Sequence, residues 1–422
     1  MIKILIFPAG TEIGREIYLS LQYEKNISVI LAGSDYDSHA RYYNNKYFIL
    51  PDVTDNSCLK ELQLLISQEK IDYIFPAHDE ALMFLSENRT DLSATVLCPP
   101  KQTCRITRSK KKTYQLLKNI IPVPTVYNEI DEITQWPVFV KPDRGQGAQG
   151  AMRVDTQEML LSLRAQEKGL IICEYLSGEE YTVDCFSDRE KGLLFCQPRI
   201  RSRIRSGIAM SSELVSIPGV EAYAHSIAKN LHLYGAWFFQ LKRSSGGVMT
   251  LLEVAPRIAG TMALNRVAGI NFSILTIYES MRKDIKILPT NKNLRITRSL
   301  SNKYTHNIKF EHVYIDYDDT IVIKDKLCLP IITFLYQCIN NGIKVHLITR
   351  HAGNIIQELK KRRILNIFDN IFHLNNNDKK SDYISEISAI FIDDSFAERL
   401  EVFNRKKIAI FDNSMIEMLI LK

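Results

Sequence analysis

The sequence predicts an α/β protein built from three domains. Its 422 residues are enough for about three domains of roughly 150 residues each. Near the amino terminus, short apolar runs alternate with helical stretches, as in an open parallel sheet. In the last quarter of the chain, an apolar run ends in a turn rich in aspartate. We expect domains over residues 1–104, 105–290 and 310–422, with a linker over 291–309.

The composition is that of an ordinary globular protein, with 45% hydrophobic and 24% charged residues. The formal charge of +6 is spread over short clusters, so nucleic acid is not an expected partner and anionic small molecules are favoured. The eight cysteines include no CxxC pair, which indicates reduced thiols and a cytoplasmic protein. The first apolar run is too short for a signal peptide, and no run approaches the ~20 residues of a membrane span. Membrane insertion is not expected.

Three strands are predicted in the N-terminal domain, over residues 2–7, 28–32 and 71–76. The turn after the first strand holds Gly10 and Gly14, whose spacing is not that of a dinucleotide fingerprint. A tight strand-to-helix turn explains it better than a nucleotide site does. Residues 78–80, His-Asp-Glu, follow the third strand. They fit both a substrate cleft and an acidic helix N-terminus.

In the middle domain, residues 109–117 open a helix and residues 137–142 form a strand with Lys141 facing inward. Gly145, Gly147 and Gly150 follow in a hairpin, where backbone amides can approach phosphate oxygens. By itself such a hairpin is more often only a turn. Strand patterns then recur over residues 170–176, 178–184, 239–241 and 251–257.

These motifs, taken in order, resemble those of the ATP-grasp enzymes, especially the carboxylate ligases related to carbamoyl-phosphate synthase. The resemblance extends over residues 1–290 and implies an α+β ATP-grasp domain at 105–290 behind an open parallel domain. ATP and Mg²⁺ are the implied cofactors. The resemblance implies that Lys110 and Lys141 bind the nucleotide phosphates, with the three hairpin glycines closing over them. It places Glu174, Tyr175 and Leu176 at adenine and Glu180 at ribose. Gln240 and Glu253 would bind Mg²⁺, and Arg257 would stabilise the transferred phosphate.

One position departs from the family pattern Glu-x-Asn-Pro-Arg, because this chain has Ala255 between Glu253 and Pro256. Alanine offers no side-chain oxygen. A second Mg²⁺ is therefore expected to be weak, differently held or absent, and the domain could bind nucleotide without catalysing ligation.

Arginine alternates with other residues at 199, 201, 203 and 205. On a regular strand these four side chains share one face, and arginine suits bidentate binding of carboxylate or phosphate. Similar enzymes place their acid-substrate loop here, so Arg201, Arg203 and Arg205 are predicted to bind substrate. A solvated edge strand is the alternative.

Polar residues follow the apolar runs of the C-terminal domain. Asp316 and Asp318 end the first run, Thr349 ends the second, and Asp393 and Asp394 end a later one. Lys379 and Lys380 precede the last run. We favour Lys380 as the functional lysine of this domain, because it would open the next amphipathic helix. Helix capping and a solvated loop are the alternative for any one of these motifs.

Together the four motifs resemble the haloacid dehalogenase (HAD) superfamily and imply a Rossmann-like domain. The implied roles are nucleophile for Asp316, acid and base for Asp318, phosphoryl binding for Thr349 and charge neutralisation for Lys380. Asp316, the Asp318 backbone carbonyl and Asp394 would hold Mg²⁺, with Asp393 as a ligand or in support. Between the motifs there is room only for one helix and one strand each, so no cap domain is expected.

We therefore expect a bifunctional enzyme. The ATP-grasp part would join a small-molecule carboxylate to an amine through an acylphosphate, and the HAD part would remove a phosphate from the amine substrate or the product. Surface-polysaccharide and small-molecule biosynthesis both suit such chemistry. The alternatives are a phosphatase regulated by a non-catalytic nucleotide-binding region, and a scaffold without either activity. ATP-grasp relatives are often dimers, which leaves a homodimer open.

Overall fold

The computed structural model describes residues 1–34, 38–43, 45–145, 147, 149–166, 169–288 and 293–421. Positions 146 and 148 of the predicted glycine hairpin, and 291 and 292 of the predicted linker, lie outside these residues. The chain forms two compact units. The first extends to Leu300, apart from a short stretch near Tyr42, and the second begins at Ser301.

A parallel sheet forms the amino-terminal part of the first unit. Its strands are β1 (Ile2–Phe7), β2 (Ile27–Gly33), β3 (Tyr47–Ile49), β4 (Tyr73–Pro76) and β5 (Thr95–Val96), in the order β3-β2-β1-β4-β5. The helices between them are α1 (Glu12–Leu21), α2 (Cys58–Glu69) and α3 (Asp79–Glu87). The predicted open parallel sheet is confirmed, and the bounds of 1–104 for a separate domain stay a prediction. The two outer strands were not predicted because they are too short to form an apolar run.

The next part begins with α4 (Lys101–Thr107) and α5 (Lys110–Leu117) and continues into a four-stranded antiparallel sheet. This sheet contains β6 (Val126–Tyr127), β7 (Val138–Pro142), β8 (Met152–Val154) and β9 (Leu170–Glu174), with α6 (Gln157–Gln166) before β9. Ser109 caps α5 by accepting a hydrogen bond from the Lys112 backbone N–H. Such a cap stabilises a helix by about 1 kcal/mol.

A six-stranded antiparallel sheet completes the first unit. Its strands are β10 (Glu180–Asp188), β11 (Gly192–Arg205), β12 (Ile208–Leu214), β13 (Gly235–Arg243), β14 (Met249–Ala255) and β15 (Arg295–Thr297), in the order β14-β13-β10-β11-β12-β15. Its helices are α7 (Val220–Leu231), α8 (Ala263–Val267) and α9 (Phe272–Ser280). Trp237 and Phe239 of β13 are fully buried and stack with ring centroids 5.8 Å apart.

The linker prediction is wrong for residues 295–297. This segment forms β15, which pairs with residues 211–213 of β12. An edge strand needs only backbone hydrogen bonds, and Ile296 is its one apolar residue, so the segment lacks the periodicity that predicts a strand.

The prediction that four arginines share one strand face is also wrong. The register of β11 against β12 shifts between Arg201 and Arg203, and again between Arg203 and Ile204. An irregularity of this kind breaks the alternation of side chains and re-aims those beyond it. Arg199 is buried, whereas Arg203 and Arg205 are exposed.

The second unit is a parallel sheet flanked by helices. The sheet contains β16 (His312–Ile315), β19 (Lys344–Thr349), β20 (Asn370–His373), β21 (Ala389–Ile392) and β22 (Ala409–Phe411), in the order β20-β19-β16-β21-β22, while β17 (Val322–Ile323) and β18 (Lys326–Leu327) form a separate hairpin. The helices are α10 (Leu329–Asn340), α11 (Ile355–Lys361) and α12 (Phe396–Lys406).

Two details of the second unit differ from prediction. The β17–β18 hairpin adds to the single helix and strand expected before Thr349, because Lys324 and Asp325 adopt left-handed backbone angles that reverse the chain at once. Lys380 begins a four-residue 3₁₀ helix rather than an amphipathic α-helix. No helix in the described parts of the chain is long and apolar enough to cross a membrane.

Candidate functional sites

A first cavity of about 220 Å³ lies between the two antiparallel sheets of the first unit. It brings together most of the residues predicted to bind nucleotide and metal. Those that line it are Lys110, Lys141, Gly145, Gly147, Glu174, Leu176, Glu180, Gln240 and Glu253. Gly150 and Tyr175 are not among the lining residues. The Tyr175 ring instead lies 5.1 Å from the Arg153 guanidinium and 6.0 Å from Lys242 Nζ, and Lys242 lines the cavity without having been predicted.

Lys141 is the buried cation of this cavity, with 7% of its surface exposed. Its Nζ donates to the Tyr114 hydroxyl at 2.8 Å, and that hydroxyl donates to the Leu252 carbonyl oxygen at 2.6 Å. Burial lowers the pKa of Lys141 and Lys110 lowers it further, while Glu253 opposes them. An anion in the cavity would stabilise the charged lysine.

Asp143 places Lys110 beside Lys141, although no motif singled it out. Its carboxylate accepts hydrogen bonds from the Ser109 hydroxyl at 2.8 and 3.0 Å and from the Lys111 backbone N–H at 2.8 Å. The N-terminus of α5 is thereby held against the end of β7. The two lysines reach one cavity from separate elements.

Gln240 and Glu253 are neighbours across the β13–β14 pair, as a shared metal would require. However, Gln240 Oε1 accepts a hydrogen bond from Arg201 Nη1 at 2.9 Å, and Arg201 Nη1 also pairs with Glu180. The two predicted cofactor ligands Glu180 and Gln240 are therefore joined by one guanidinium. Their roles at ribose and Mg²⁺ stay predictions.

A second cavity of about 710 Å³ adjoins the first. The residues common to both include Gly145, Gly147, Arg201, Gln240 and Glu253. Continuity of this kind lets a group bound in one cavity react with a group bound in the other. The second cavity is also lined by residues 11–13, from the glycine turn after β1, which thus lies away from the first cavity.

Arg257 lines the second cavity as half of an ion pair. Its Nε and Nη2 donate to the two Asp79 carboxylate oxygens at 2.6 and 2.8 Å, and its guanidinium lies 5.3 Å from the Phe238 ring. Burial by itself would raise the pKa of Asp79, but Arg257 outweighs it and lowers that pKa to about 2. His78 and Asp79 line the same cavity, and Asp79 and Glu80 also form the acidic first turn of α3, so both interpretations of residues 78–80 agree with the structure.

Of the predicted substrate arginines, Arg201 lines both of these cavities, and Arg203 and Arg205 line neither. Two unpredicted arginines, Arg199 and Arg298, line the second cavity. Arg298 comes from the predicted linker. It reaches the cavity only because β15 pairs with β12, and no local pattern could have indicated this.

In the second unit, Asp316, Asp393 and Asp394 each offer an oxygen within 4.8 Å of the others. They meet because β16 and β21 are parallel neighbours whose carboxyl ends lie side by side. Within the described residues this is the one cluster of three or more carboxylate, histidine or cysteine ligands that could hold a metal ion. Thr320 supports it by accepting from the Asp394 backbone N–H at 3.0 Å.

Lys380 is the cation of this cluster, and Lys379 is exposed. Lys380 Nζ lies 2.5 Å from Asp316 Oδ1 and 2.7 Å from Asp393 Oδ2. Burial raises the pKa of Asp316 to about 7, although Lys380 opposes the shift. Burial also raises the pKa of Asp393. Two buried carboxylates thus share one cation, and a divalent metal would add positive charge to this acidic cluster.

Asp318 and Thr349 lie at the edge of the same site. Both oxygens of the exposed Asp318 carboxylate lie 3.0 Å from His351 Nδ1. The Thr349 hydroxyl oxygen accepts a hydrogen bond from the His351 backbone N–H at 3.1 Å. His351 thus contacts both predicted residues. It was not predicted, although its position two residues after Thr349 was a possible signal.

Comparisons with known proteins concern the fold. Residues 4–97 match a family described as PylC-like, N-terminal domain, and residues 166–301 match one described as ATP-grasp in the biosynthetic pathway with Ter operon. The chain contains an ATP-grasp fold. The predicted resemblance is confirmed at that level. No curated protein matches the sequence. The HAD assignment of the second unit stays a prediction.

Three solved structures illustrate the likeness. The biotin carboxylase domain dimer of 2-oxoglutarate carboxylase from Hydrogenobacter thermophilus, with MgADP, ADP and bicarbonate, has a TM-score of 0.56 and 15% identity over 67% of this chain and 70% of that one. The L-amino acid ligase from Bacillus licheniformis has a TM-score of 0.54 and 16% sequence identity. The match covers 67% of this chain and 74% of the ligase. N5-carboxyaminoimidazole synthetase from Staphylococcus aureus, in complex with ADP, has a TM-score of 0.55 and 16% sequence identity. The match covers 68% of this chain and 78% of the synthetase.

Proposed function

We propose that the first unit is an ATP-dependent carboxylate–amine ligase. The observation that carries the proposal is the pair of adjoining cavities, one lined by Lys110 and Lys141 and the other by Arg257, with Glu253 lining both. The similar structures from H. thermophilus and S. aureus contain ADP, and that from B. licheniformis is an amino acid ligase. ATP in the first cavity and an acid in the second would place the two reactants in contact.

The proposed reaction has two steps. A carboxylate oxygen of the acid attacks the γ-phosphorus of ATP, ADP leaves, and an acylphosphate forms. The amine nitrogen then attacks the carbonyl carbon, phosphate leaves, and the amide forms after loss of a proton. Lys110 and Lys141 hold the nucleotide phosphates, and Arg257 stabilises charge on the transferred group. Mg²⁺ held at Glu253 would neutralise phosphate oxygens.

The test is ADP formation by the purified protein with ATP, Mg²⁺ and a panel of acids and amines. Amine-dependent ADP release that is lost in Lys141→Ala and kept in Lys112→Ala supports ligation. Lys112 lies on the same helix as Lys110 but is exposed, so it controls for loss of a surface charge. ADP release that is equal in both variants would contradict the proposal.

We further propose that the second unit is a Mg²⁺-dependent phosphomonoester hydrolase of the HAD type. Asp316 would attack the phosphorus atom, and Asp318 would protonate the leaving oxygen and then activate water for hydrolysis of the aspartyl-phosphate. Thr349 and Lys380 would contact the phosphoryl oxygens. Asp393 and Asp394 complete the carboxylate cluster that supports this assignment.

Hydrolysis of p-nitrophenyl phosphate with Mg²⁺ tests the second activity. Asp316→Asn should abolish it, because an amide cannot form the aspartyl-phosphate. Asp319→Asn is the matched control, since Asp319 is exposed and asparagine accepts its left-handed backbone angle. Equal rates in the two variants would refute the role of Asp316, and absence of wild-type hydrolysis would favour a scaffold.

We propose that the two reactions are coupled, the phosphatase acting on a phosphorylated amine substrate or on the ligation product. The matched family's description refers to a biosynthetic pathway, which suits a small-molecule product. A regulated phosphatase is the second candidate, favoured by Ala255 and by the contact of Gln240 with Arg201. It predicts that ATP changes p-nitrophenyl phosphate hydrolysis while no acid and amine pair yields ADP. A homodimer is also proposed, since the H. thermophilus structure is a dimer.

A further inference from the structure

Four arginines line the second cavity, and two of them, Arg201 and Arg257, belong to the sites already described. Arg257 is paired with Asp79, and Arg201 is paired with Glu180. The other two are Arg199 and Arg298. Neither is used by the proposed ligation chemistry.

Arg199 is held rigidly with one donor group unused. Its Nε and Nη2 donate to the Asp184 carboxylate at 2.8 and 3.1 Å, and Asp184 also accepts from Asn265 Nδ2 at 2.7 Å. Arg199 is 1% exposed, and its Nη1 is a buried atom without a hydrogen-bond partner in the described residues. A buried donor left unpaired costs about 1–3 kcal/mol, and more when charged. A ligand oxygen in the cavity would satisfy it.

Arg298 differs from Arg199 in that its guanidinium has no fixed partner. Among the described residues, no hydrogen bond or ion pair engages its guanidinium. Burial lowers the pKa of Arg298, Glu12 raises it and Arg199 lowers it, while Glu16 raises it and Arg15 lowers it to smaller extents. Arg199 and Arg298 therefore repel each other across a partly buried space, with Glu12 as the main compensating charge.

Gly260 makes room for this arrangement. A Cβ atom at position 260 would lie 2.6 Å from Arg298 Nη2 and 2.8 Å from Glu12 Cγ, both too close for a real contact. Residues 11–13 at the N-terminus of α1 line the same space, and a helix N-terminus favours negative charge.

We propose that Arg199 Nη1 and the Arg298 guanidinium bind a second anionic group of a ligase substrate, a carboxylate or a phosphate monoester. This rests on the proposed ligase function, which assigns the reacting carboxylate to the Glu253 and Arg257 part of the cavity. The substrate class is therefore one with an anionic group beyond the group that reacts. If that group is a phosphate, the ligation product belongs to the class that the second unit is proposed to hydrolyse.

The experiment is calorimetric titration of the full chain with inorganic phosphate, succinate and acetate, in EDTA and without nucleotide. Binding of phosphate but not succinate identifies a phosphate site, the reverse identifies a carboxylate site, and acetate measures the contribution of a single charge. Arg298→Gln should raise the Kd of the bound anion at least tenfold, and Arg298→Lys should raise it less. Arg282→Gln is the matched control, because Arg282 is exposed and lines neither cavity.

Two further variants locate the site. Glu12→Gln should lower the Kd, since it removes the carboxylate that competes for Arg298, and damage to folding cannot produce tighter binding. Gly260→Ala should raise the Kd by displacing Arg298. If Lys141→Ala rather than Arg298→Gln abolishes anion binding, the ion occupies the nucleotide phosphate site and the inference is overturned. It is also overturned if neither phosphate nor succinate binds with a Kd below about 10 mM.

MgADP binding and ADP formation, measured on the same proteins, separate this inference from the proposed function. Anion binding that depends on Arg298, in a protein that forms no ADP with any acid and amine, would refute the ligase and leave the anion site standing. ADP formation with unchanged anion binding in Arg298→Gln would refute the anion site and leave the ligase standing.

Discussion

Substitution of Lys380 by methionine tests whether the acidic cluster of the second unit depends on one buried cation. Methionine keeps most of the side-chain volume and removes the charge. Lys380 Nζ is 2.5 Å from Asp316 and 2.7 Å from Asp393, and the three residues are 3%, 6% and 1% exposed. The substitution therefore leaves two buried carboxylates facing each other without a counter-charge.

The expected cost follows from these distances. With an effective dielectric constant of about 20, each contact is worth about 6 kcal/mol before desolvation of the three groups offsets most of it. Breaking a buried ion pair by removing one partner typically costs about 3–5 kcal/mol. We expect that loss in the free energy of unfolding of the second unit in EDTA. Burial raises the pKa of Asp316 to about 7 although Lys380 opposes the shift, so loss of Lys380 should raise that pKa further, and the variant should lose more stability than the wild type as pH rises. The cost should thus be larger at pH 8 than at pH 5.

Hydrogen exchange of peptides from β16 and β21 is the suitable assay, since both tryptophans, Trp136 and Trp237, belong to the first unit. Lys379→Met is the control and should change the free energy by less than about 0.5 kcal/mol, because Lys379 is exposed. Mg²⁺ should stabilise Lys380→Met more than the wild type, because the metal replaces the missing cation. Equal protection in the two variants, or no response to Mg²⁺, would refute the reasoning.

Three other predictions concern the first unit. Tyr114→Phe removes the hydroxyl that accepts a hydrogen bond from Lys141 Nζ. The Kd of MgADP, measured by calorimetry, should rise roughly three- to tenfold, which corresponds to about 1 kcal/mol. Unchanged affinity would show that this hydrogen bond does not position Lys141. Asp79→Asn should destabilise the unit by about 2 kcal/mol above pH 4, because Arg257 lowers the pKa of Asp79 to about 2. This loss of stability, measured by urea denaturation, should disappear as the pH falls toward 2. A loss that does not change with pH would count against the prediction. Ala255→Asn should lower the Mg²⁺ concentration that half-saturates ADP formation, whereas an unchanged value would place the metal away from β14.

The sequence alone predicted most residues of both sites because their motifs lie at strand ends. Asp316, Thr349 and Asp393 each end an apolar run, and the carboxyl ends of parallel strands meet at one edge of a sheet. Their meeting is expected once these strands lie side by side in one parallel sheet. Lys141 was singled out on a predicted strand, whereas Lys110 was assigned through the resemblance to ATP-grasp enzymes.

The charge balance of the sites could not be predicted, because it depends on partners distant in sequence. Lys380 is chosen over Lys379 by its contacts with Asp316 and Asp393. The regular alternation of arginines was misleading, since the irregular register of β11 moves Arg203 away from the cavity, and a register shift is decided by the partner strand.

What the chain determined by itself was the order of strands, turns and helices, together with the type of residue at each strand end, because those are local properties of the backbone and its hydrophobic pattern. Tertiary structure decided which charges became buried and which were paired. Arg298 enters the second cavity only through an edge strand held by backbone hydrogen bonds, and Gly260 matters only because Arg298 approaches it. Such contacts join segments whose side chains carry no information about each other until the sheets are assembled.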